Sequence, residues 1–265
     1  MICTLGDLLL DVVVTGSGAL RRATDTYSDI TAGPGGQAAN VAVWVAALGG
    51  RARLVAKRVA DPVGDMVFDQ VARRGVEVVG PVVGPEAAHT GVVVSLSGFE
   101  GERSMLTDRG VSPSLGPDEL VPQWFEGCSW LHLPFYSLAA GPVLGASLRA
   151  RRWVERASVD LSSLTVLRAL GKGEVAALLG EVRPDIVFAT EEEAALTDLS
   201  MVPTVVTKLG RRGVAVNGAR HPAHRCEVVD TTGAGDAFAA GFLLGGTDLG
   251  LAAAARAVSQ RGAMP

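Results

Sequence analysis

The 265 residues predict an α/β fold in which a mostly parallel sheet is covered by helices and a small second β sheet stands beside it. Three observations predict it. Apolar strand-like runs alternate with helix-like segments along nearly the whole chain. The alternation breaks in two places, and both breaks read as extra strands. Glycine-rich turns open two of the helix-like segments, at Gly33 to Gly36 and at Gly233 to Gly235.

In chain order, Ile2 to Val14 reads as one buried strand ending in polar turns. Gln37 to Leu48 carries Val41, Trp44, Val45 and Leu48 at i, i+3, i+4 and i+7, an amphipathic helix face. Arg53 to Val59 is strand-like, and Asp65 to Arg74 is helix-like with a stop at Gly75. Trp130 to Leu133 reads as a strand, Val143 to Trp153 as a helix and Ala157 to Leu161 as a strand. Asp185 to Ala189 is a compact strand, with a helix starting near Glu191. Thr204 to Leu209 and Gly213 to Val216 are strands around a tight turn, and Ala-rich helices follow around Ala237 to Leu244 and Leu249 to Gln260. The two breaks are Ala23 to Thr31, polar and strand-like with no following helix, and Thr90 to Thr107, two β-rich runs around Phe99-Glu100-Gly101-Glu102. Ligands of open α/β folds sit beyond the C-terminal ends of the strands. A small sheet placed there would act as a lid that excludes water.

Composition narrows the function classes. Hydrophobic residues make up 48% and charged residues 20%, which supplies a sizeable core and argues against disorder. A net charge of −4 without any Lys/Arg tract argues against nucleic acid as a partner. Cys3, Cys128 and Cys226 are odd in number and far apart, which fits a reducing cytoplasm better than a disulfide framework. Asp7 and Asp11 interrupt the apolar N-terminal stretch, so it does not read as a signal peptide. No uninterrupted apolar run approaches the roughly 18 to 20 residues of a membrane span.

Three motifs carry chemistry. Asp230-Thr231-Thr232-Gly233-Ala234-Gly235-Asp236-Ala237-Phe238 runs straight into a helix pattern. Its small residues let a ligand approach the backbone, and the free N–H groups at the helix start would cradle a phosphate. Asp236 at the mouth of that cradle could take a proton from an attacking hydroxyl, and the helix N-terminus should favour its ionised form. The alternative is a glycine-rich turn with a capping Asp. The second motif, Gly33-Pro34-Gly35-Gly36-Gln37-Ala38-Ala39-Asn40, offers Asn40 as donor and acceptor for a sugar hydroxyl, or is an ordinary loop and helix start. The third, Gly6-Asp7-Leu8-Leu9-Leu10-Asp11, puts Asp11 near the end of the first strand, where a carboxylate can read a diol or simply close a turn.

Together and in this order, the three motifs resemble those of the ribokinase-like (PfkB) carbohydrate kinases. So do Asp61-Pro62-Val63-Gly64-Asp65, Gly101-Glu102-Arg103, Arg109-Gly110, Glu191-Glu192-Glu193 and Lys208-Leu209-Gly210 with Gly213. The resemblance runs from about Gly6 to Gly262. It implies a three-layer α/β/α sandwich forming a single domain over 1–265, with lid segments at about 12–34 and 88–108. It implies ATP-dependent phosphorylation of a sugar hydroxyl. Asp236 would be the base, and the amides of Gly233, Ala234, Gly235 and Asp236 the anion hole. Asp11, Gly36 and Asn40 would hold the sugar. Glu193 would organise Mg²⁺ largely through water, and Thr190, Lys208, Gly210 and Gly213 would line the nucleotide side. The lid of many relatives pairs with a second subunit, so a homodimer is expected.

The chain departs from the family pattern at Thr190, where an Asn is usual, and at Ser162 and Ser163, where an Asn or similar polar residue often follows Asp160. Relatives commonly continue past Gly262-Ala263-Met264-Pro265 with a final helix that contributes to a monovalent-cation site. Potassium therefore stays an open option, with Asp230 and Thr232 matching the other contributions. Nucleoside phosphorylation is a second reading, with Tyr27, Phe99 and Phe135 as candidate walls for a base. A non-catalytic sugar- or nucleotide-binding protein is a third, which the intact Asp236 and its glycines oppose. Gly171-Lys172-Gly173 lacks the spacing of a phosphate-binding P-loop. His221, His224 and Cys226 lack a fourth zinc ligand. Trp44 and Trp153 read as packing residues. Arg103 and Arg109 would either bind an acidic or phosphorylated substrate or, as the preferred reading, serve as a solvated face or turn brace.

Overall fold

The first predicted strand is two strands in two different sheets. β1 (Ile2–Leu5) and β2 (Leu9–Gly18) are parted by a bend at Gly6-Asp7-Leu8. This is a computed structural model describing residues 1–21, 23–99 and 102–265, residues 102 and 103 by their backbone alone. The Gly101-Glu102-Arg103 motif and the Arg103 reading therefore lie outside the described residues. β3 (Asp29–Gly35) starts and ends later than the predicted polar strand and runs directly into α1 (Gln37–Ala47). Arg53 to Val59 also divides, into β4 (Ala52–Val55) and β5 (Arg58–Val59). The Asp61 carboxylate caps α2 (Pro62–Arg73) by accepting from the Gly64 amide at 2.6 Å.

β6 (Val76–Val79), β7 (Val82–Val83), β8 (Thr90–Phe99) and β9 (Glu102–Gly110) follow. After three short 3₁₀ turns come β10 (Trp130–Pro134), α3 (Phe135–Leu138), α4 (Gly141–Arg151) and β11 (Arg156–Asp160). α5 (Leu164–Val182) carries no clear apolar period because it bends at Gly171, at φ 77°, and the sequence pattern misses it. β12 (Ile186–Thr190), α6 (Glu191–Ala194), β13 (Thr204–Lys208), β14 (Val214–Val216), β15 (Ala219–His221) and α7 (Ala234–Val258) complete the chain. α7 changes direction at Gly245-Gly246, which is where the sequence pattern divides it.

The main sheet runs β15-β14-β13-β12-β11-β10-β1-β4-β6 and is parallel except for the hairpins at β13, β14 and β15. Successive strand residues feed opposite faces. Ile2, Trp130, Ile186 and Phe188 join the core under α1, α2 and α7, whereas Cys3, Leu131, Val187 and Ala189 join the core under α4 and α5. These two cores are the seams between the sheet and the two helical layers of a three-layer sandwich. α1 is not amphipathic, contrary to its sequence reading. Ala38 through Val45 are all buried, because one side of the helix meets the sheet and the other meets α7. The period had registered only the larger side chains.

The second sheet has the order β3-β2-β8-β9. Asp11 pairs with Gly33 and Val93 in it, and so shares a face with the buried Val93 and Ser95. The main sheet reverses direction of growth between β1 and β10, and this sheet leaves the main one at the C-terminal end of β1. That is where an open α/β sheet holds its ligand.

Candidate active site

Strand alternation sets the floor of the site. Asp160 ends β11, Thr190 ends β12 and Lys208 ends β13, with Thr190 opposite Lys208 and Asp160 opposite Phe188 in the register. Asp160 and Lys208 fall on the face that Phe188 and Val206 give to the α1/α7 core. Lys208 Nζ donates to both carboxylate oxygens of the fully buried Asp160, at 2.9 and 2.8 Å. Burial alone would lower the Lys208 pKa, but Asp160, helped by Glu193 and Asp236, outweighs it and raises it.

α7 supplies the roof. Gly233, at φ 75° and ψ 0°, is its N-cap, and a side chain there would meet the Ala263 carbonyl. The Ala234 amide reaches Thr231 O at 3.4 Å, a loose turn. The amides of Gly235 and Asp236 have no acceptor among the described residues, so two donors point out of the helix start. A Cβ on Gly235 would stand 3.3 Å from Lys208 Nζ, which places that ammonium against the same helix end.

Asp236 is half-buried in the first turn of α7. Asn40 Nδ2 donates to its Oδ2 at 2.8 Å. Its pKa is pushed up to about 7, by desolvation first and by the negative charge of Asp160; hydrogen bonds from Asn40 and Gln37 and the charge of Lys208 oppose this. The net shift runs opposite to the direction expected from the helix N-terminus, because removal from water and the charge of Asp160 dominate. The result is a carboxyl poised near neutrality, which suits a general base.

The residues of the second and third motifs come up to Asp236. Gly36, at φ 97°, is the N-cap of α1, and a side chain on it would stand 2.4 Å from Asp7 O. A Cβ on Gly35 would overlap the Asp11 carboxyl, so that carboxyl lies over the glycine pair. Asp11, Gly36, Asn40 and Asp236 are thus brought together by β2, α1 and α7. Glu193 is 5% exposed and locked in a capping box: its Oε2 accepts from Thr190 N at 2.7 Å while its amide donates to Thr190 Oγ1 at 3.2 Å. Thr190 therefore caps α6. Burial pushes the Glu193 pKa up, countered by the Thr190 amide. Gly210 opens the turn from β13 to β14, and Gly213, at φ 90°, closes it where a Cβ would collide with His221 O. An Arg212–Glu191 ion pair ties this turn to α6.

Arg109 is a brace. It forks onto the buried Asp7 at 2.8 and 2.7 Å and donates to Ser137 Oγ and Tyr136 O. Tyr27 is 93% exposed, Phe135 is in the core and Phe99 covers Gly16, so the proposed aromatic wall does not form. Trp44 is buried, with Nε1 donating to Ala263 O at 2.8 Å. Sequence reasoning missed Gln37 and met Asp160 and Ser162 only as a departure from the family pattern, without assigning them to the site. Ser162 Oγ contacts Gln37 Oε1, and the Ser162 amide donates to Asp160 Oδ1 at 3.1 Å. The signal was the Asp-x-Ser spacing after a strand.

A parallel sheet with a helix end whose first amides are open, a poised carboxylate and a lysine at its strand ends fits a phosphotransferase of the ribokinase fold. The model of the pfkB family carbohydrate kinases matches residues 1–264, and the chain belongs to that family. It is 30% identical over 274 residues to a fructokinase of Klebsiella pneumoniae, covering 92% of this chain and 83% of that protein. A structure described as a probable sugar kinase from Rhizobium etli superposes with a TM-score of 0.86 at 26% identity, over 100% of this chain and 94% of that one. An uncharacterized sugar kinase from Pyrococcus horikoshii, in complex with ATP, gives 0.84 at 25% identity, over 99% and 94%. The protein is a carbohydrate kinase that phosphorylates a sugar with ATP.

Proposed function

We propose that Asp236 is the base of this kinase and that a sugar hydroxyl lies between it and the γ-phosphate of ATP. The hydroxyl proton passes to the Asp236 carboxylate as the sugar oxygen bonds to the γ-phosphorus. The bond from that phosphorus to the bridging oxygen breaks, and ADP leaves with the oxygen. The amides of Gly233, Ala234, Gly235 and Asp236 meet the charge on the transferring group, which is where phosphoryl transfer needs stabilisation. The observation that carries this reading is the Asn40-held Asp236 beside the open amides of Gly235 and Asp236.

Asp11, Gly36 and Asn40 would hold the acceptor sugar, with β2, β3, β8 and β9 as the lid above it. Lys208, the Thr190 hydroxyl and the Gly210–Gly213 turn would line the nucleotide. A bound Mg²⁺ would supply charge neutralisation at the phosphates. The buried Glu193 carboxylate beside Lys208 and Asp160 fits a role in orienting its waters, since Mg²⁺ keeps several waters and needs no protein cage. Three free cysteines fit a cytoplasmic setting. A second copy of the chain would cover the outer face of the lid. Val12, Val94, Ala32 and Leu106 stand in one register row and Val14, Leu96 and Ile30 in the next, with Ile30 64% and Leu106 62% exposed.

The test is ADP release with Mg–ATP against neutral sugars, sugar phosphates, sugar acids and nucleosides, with and without potassium. Acceptor-dependent ADP that Asp236→Asn abolishes supports the assignment. Undiminished turnover by that variant removes Asp236 from the base role.

A further inference from the structure

The position of Lys208 needs an explanation. Its ammonium lies against the start of α7, where the helix presents unpaired N–H groups and the positive end of its dipole. A free lysine would swing away from that end on its flexible stem. Asp160 holds it there: it is 0% exposed, and both its oxygens accept from Nζ. The same carboxylate accepts from the Ser162 amide, fixing Ser162 at φ 59° with its hydroxyl on Gln37 Oε1. With its oxygen so engaged, the Gln37 amide is the group that hydrogen-bonds Asp236. One buried carboxylate thus touches both sides of the reaction, the phosphate side through Lys208 and the proton side through Ser162 and Gln37.

We propose that Asp160 is a positioning residue of this kinase, which docks Lys208 at the phosphate-binding helix end and braces Gln37 against Asp236. The proposal rests on the kinase reading of the site. It gives Asp160 a role beyond its ion pair. With Lys208 held forward, the pocket presents an ammonium and two amides to an incoming phosphate before the nucleotide arrives, so little reorganisation is left to do.

Asp160→Asn keeps the shape and removes the charge. The expected result is a folded protein whose Kd for Mg–ATP, read by titration calorimetry, rises about tenfold, the scale of one charge-assisted hydrogen bond. Lys208→Met should weaken Mg–ATP binding similarly, and the double variant should be no worse than Lys208→Met alone. The acid limb of kcat/KM gives a second readout. Asp236 is faced by Asp160 from β11, Lys208 from β13, Asn40 and Gln37 from α1, and the Tyr136 phenol from α3. Asp160 raises the Asp236 pKa more than Lys208 lowers it, so losing Asp160 should move the limb to lower pH by about half a unit or more. His132, pushed down to about 4 by burial, stays neutral across that range.

A pair that only stabilises the fold would lower the melting temperature and leave the Kd and the double-variant comparison at wild-type or additive values. That outcome overturns the proposal. If Asp160→Asn does not fold, unchanged Mg–ATP affinity in Lys208→Met overturns it as well. Absence of ADP from the wild-type protein would fail the site assignment instead, and the calorimetric comparison would still decide the role of Asp160.

Discussion

Asn40 and Asp236, 196 residues apart, are joined by one hydrogen bond of 2.8 Å between the first turns of two packed helices. That bond favours the ionised carboxylate, whereas desolvation favours the neutral acid. The balance puts the group at about 7, so the acid limb of kcat/KM should have its midpoint near neutrality, with activity rising as pH rises through it. A pH–rate profile measured on the wild-type protein checks this.

Asn40→Ala removes the stabilising donor. The Asp236 pKa should rise further and carry the acid limb to higher pH, with weaker sugar binding besides. A limb that stays in place would show that Asn40 does not set the proton affinity of the base.

Asp236→Asn should lower kcat by about 10²- to 10⁴-fold while sugar affinity changes little. Its effect on stability has the opposite sign. Because the folded-state pKa is raised, the stability that Asp236 contributes is fully present below the ordinary carboxylate range and lost as pH rises through about 7. The variant, which never ionises, should therefore be more stable than wild type at pH 8, by roughly 2 kcal/mol, and the difference should vanish near pH 4. Urea denaturation at the two pH values reads both.

Arg109→Met leaves the Asp7 carboxylate, 1% exposed, without its ion pair. Breaking a buried pair from one side should cost about 3–5 kcal/mol, and the double variant Asp7→Leu with Arg109→Met should recover much of that loss. Equal stabilities for the single and double variants would contradict the brace assigned to Arg109.

Gly233→Ala should be costly for two reasons: the left-handed backbone of the N-cap and the Ala263 carbonyl 2.5 Å from the new Cβ. A loss of about 1–3 kcal/mol is expected, together with weaker Mg–ATP binding, because relieving the clash displaces the helix start. Thermal unfolding and calorimetric titration of the variant test it.

The sheet was readable because the central strands are short, buried and mostly apolar runs, and the site because glycines and acids cluster at helix starts. Other features depend on contacts distant in sequence. The split of Ile2 to Val14 follows from Asp7 turning inward to meet Arg109, a partner 102 residues away. The burial of α1 on two sides depends on α7. Asp160 looked like an ordinary strand end because Lys208, which gives it meaning, arrives 48 residues later. The pKa of Asp236 could not be read from a helix N-terminus, since the desolvation comes from α1 and the strand ends that surround it.

The pairing of Asn40 with Asp236 also fixes when the enzyme comes into being during its synthesis. A nascent chain that has emerged from the ribosome as far as Val216 carries Gly35, Gly36, Asp11, Asn40, Asp160 and Lys208, yet has neither Asp236 nor the helix that covers α1. Until α7 arrives, the apolar surface of Val41, Trp44 and Val45 lacks its cover on that side. The late helix that shields this surface is the same one that delivers Asp236, so the proposed base and protection from aggregation are acquired in one step.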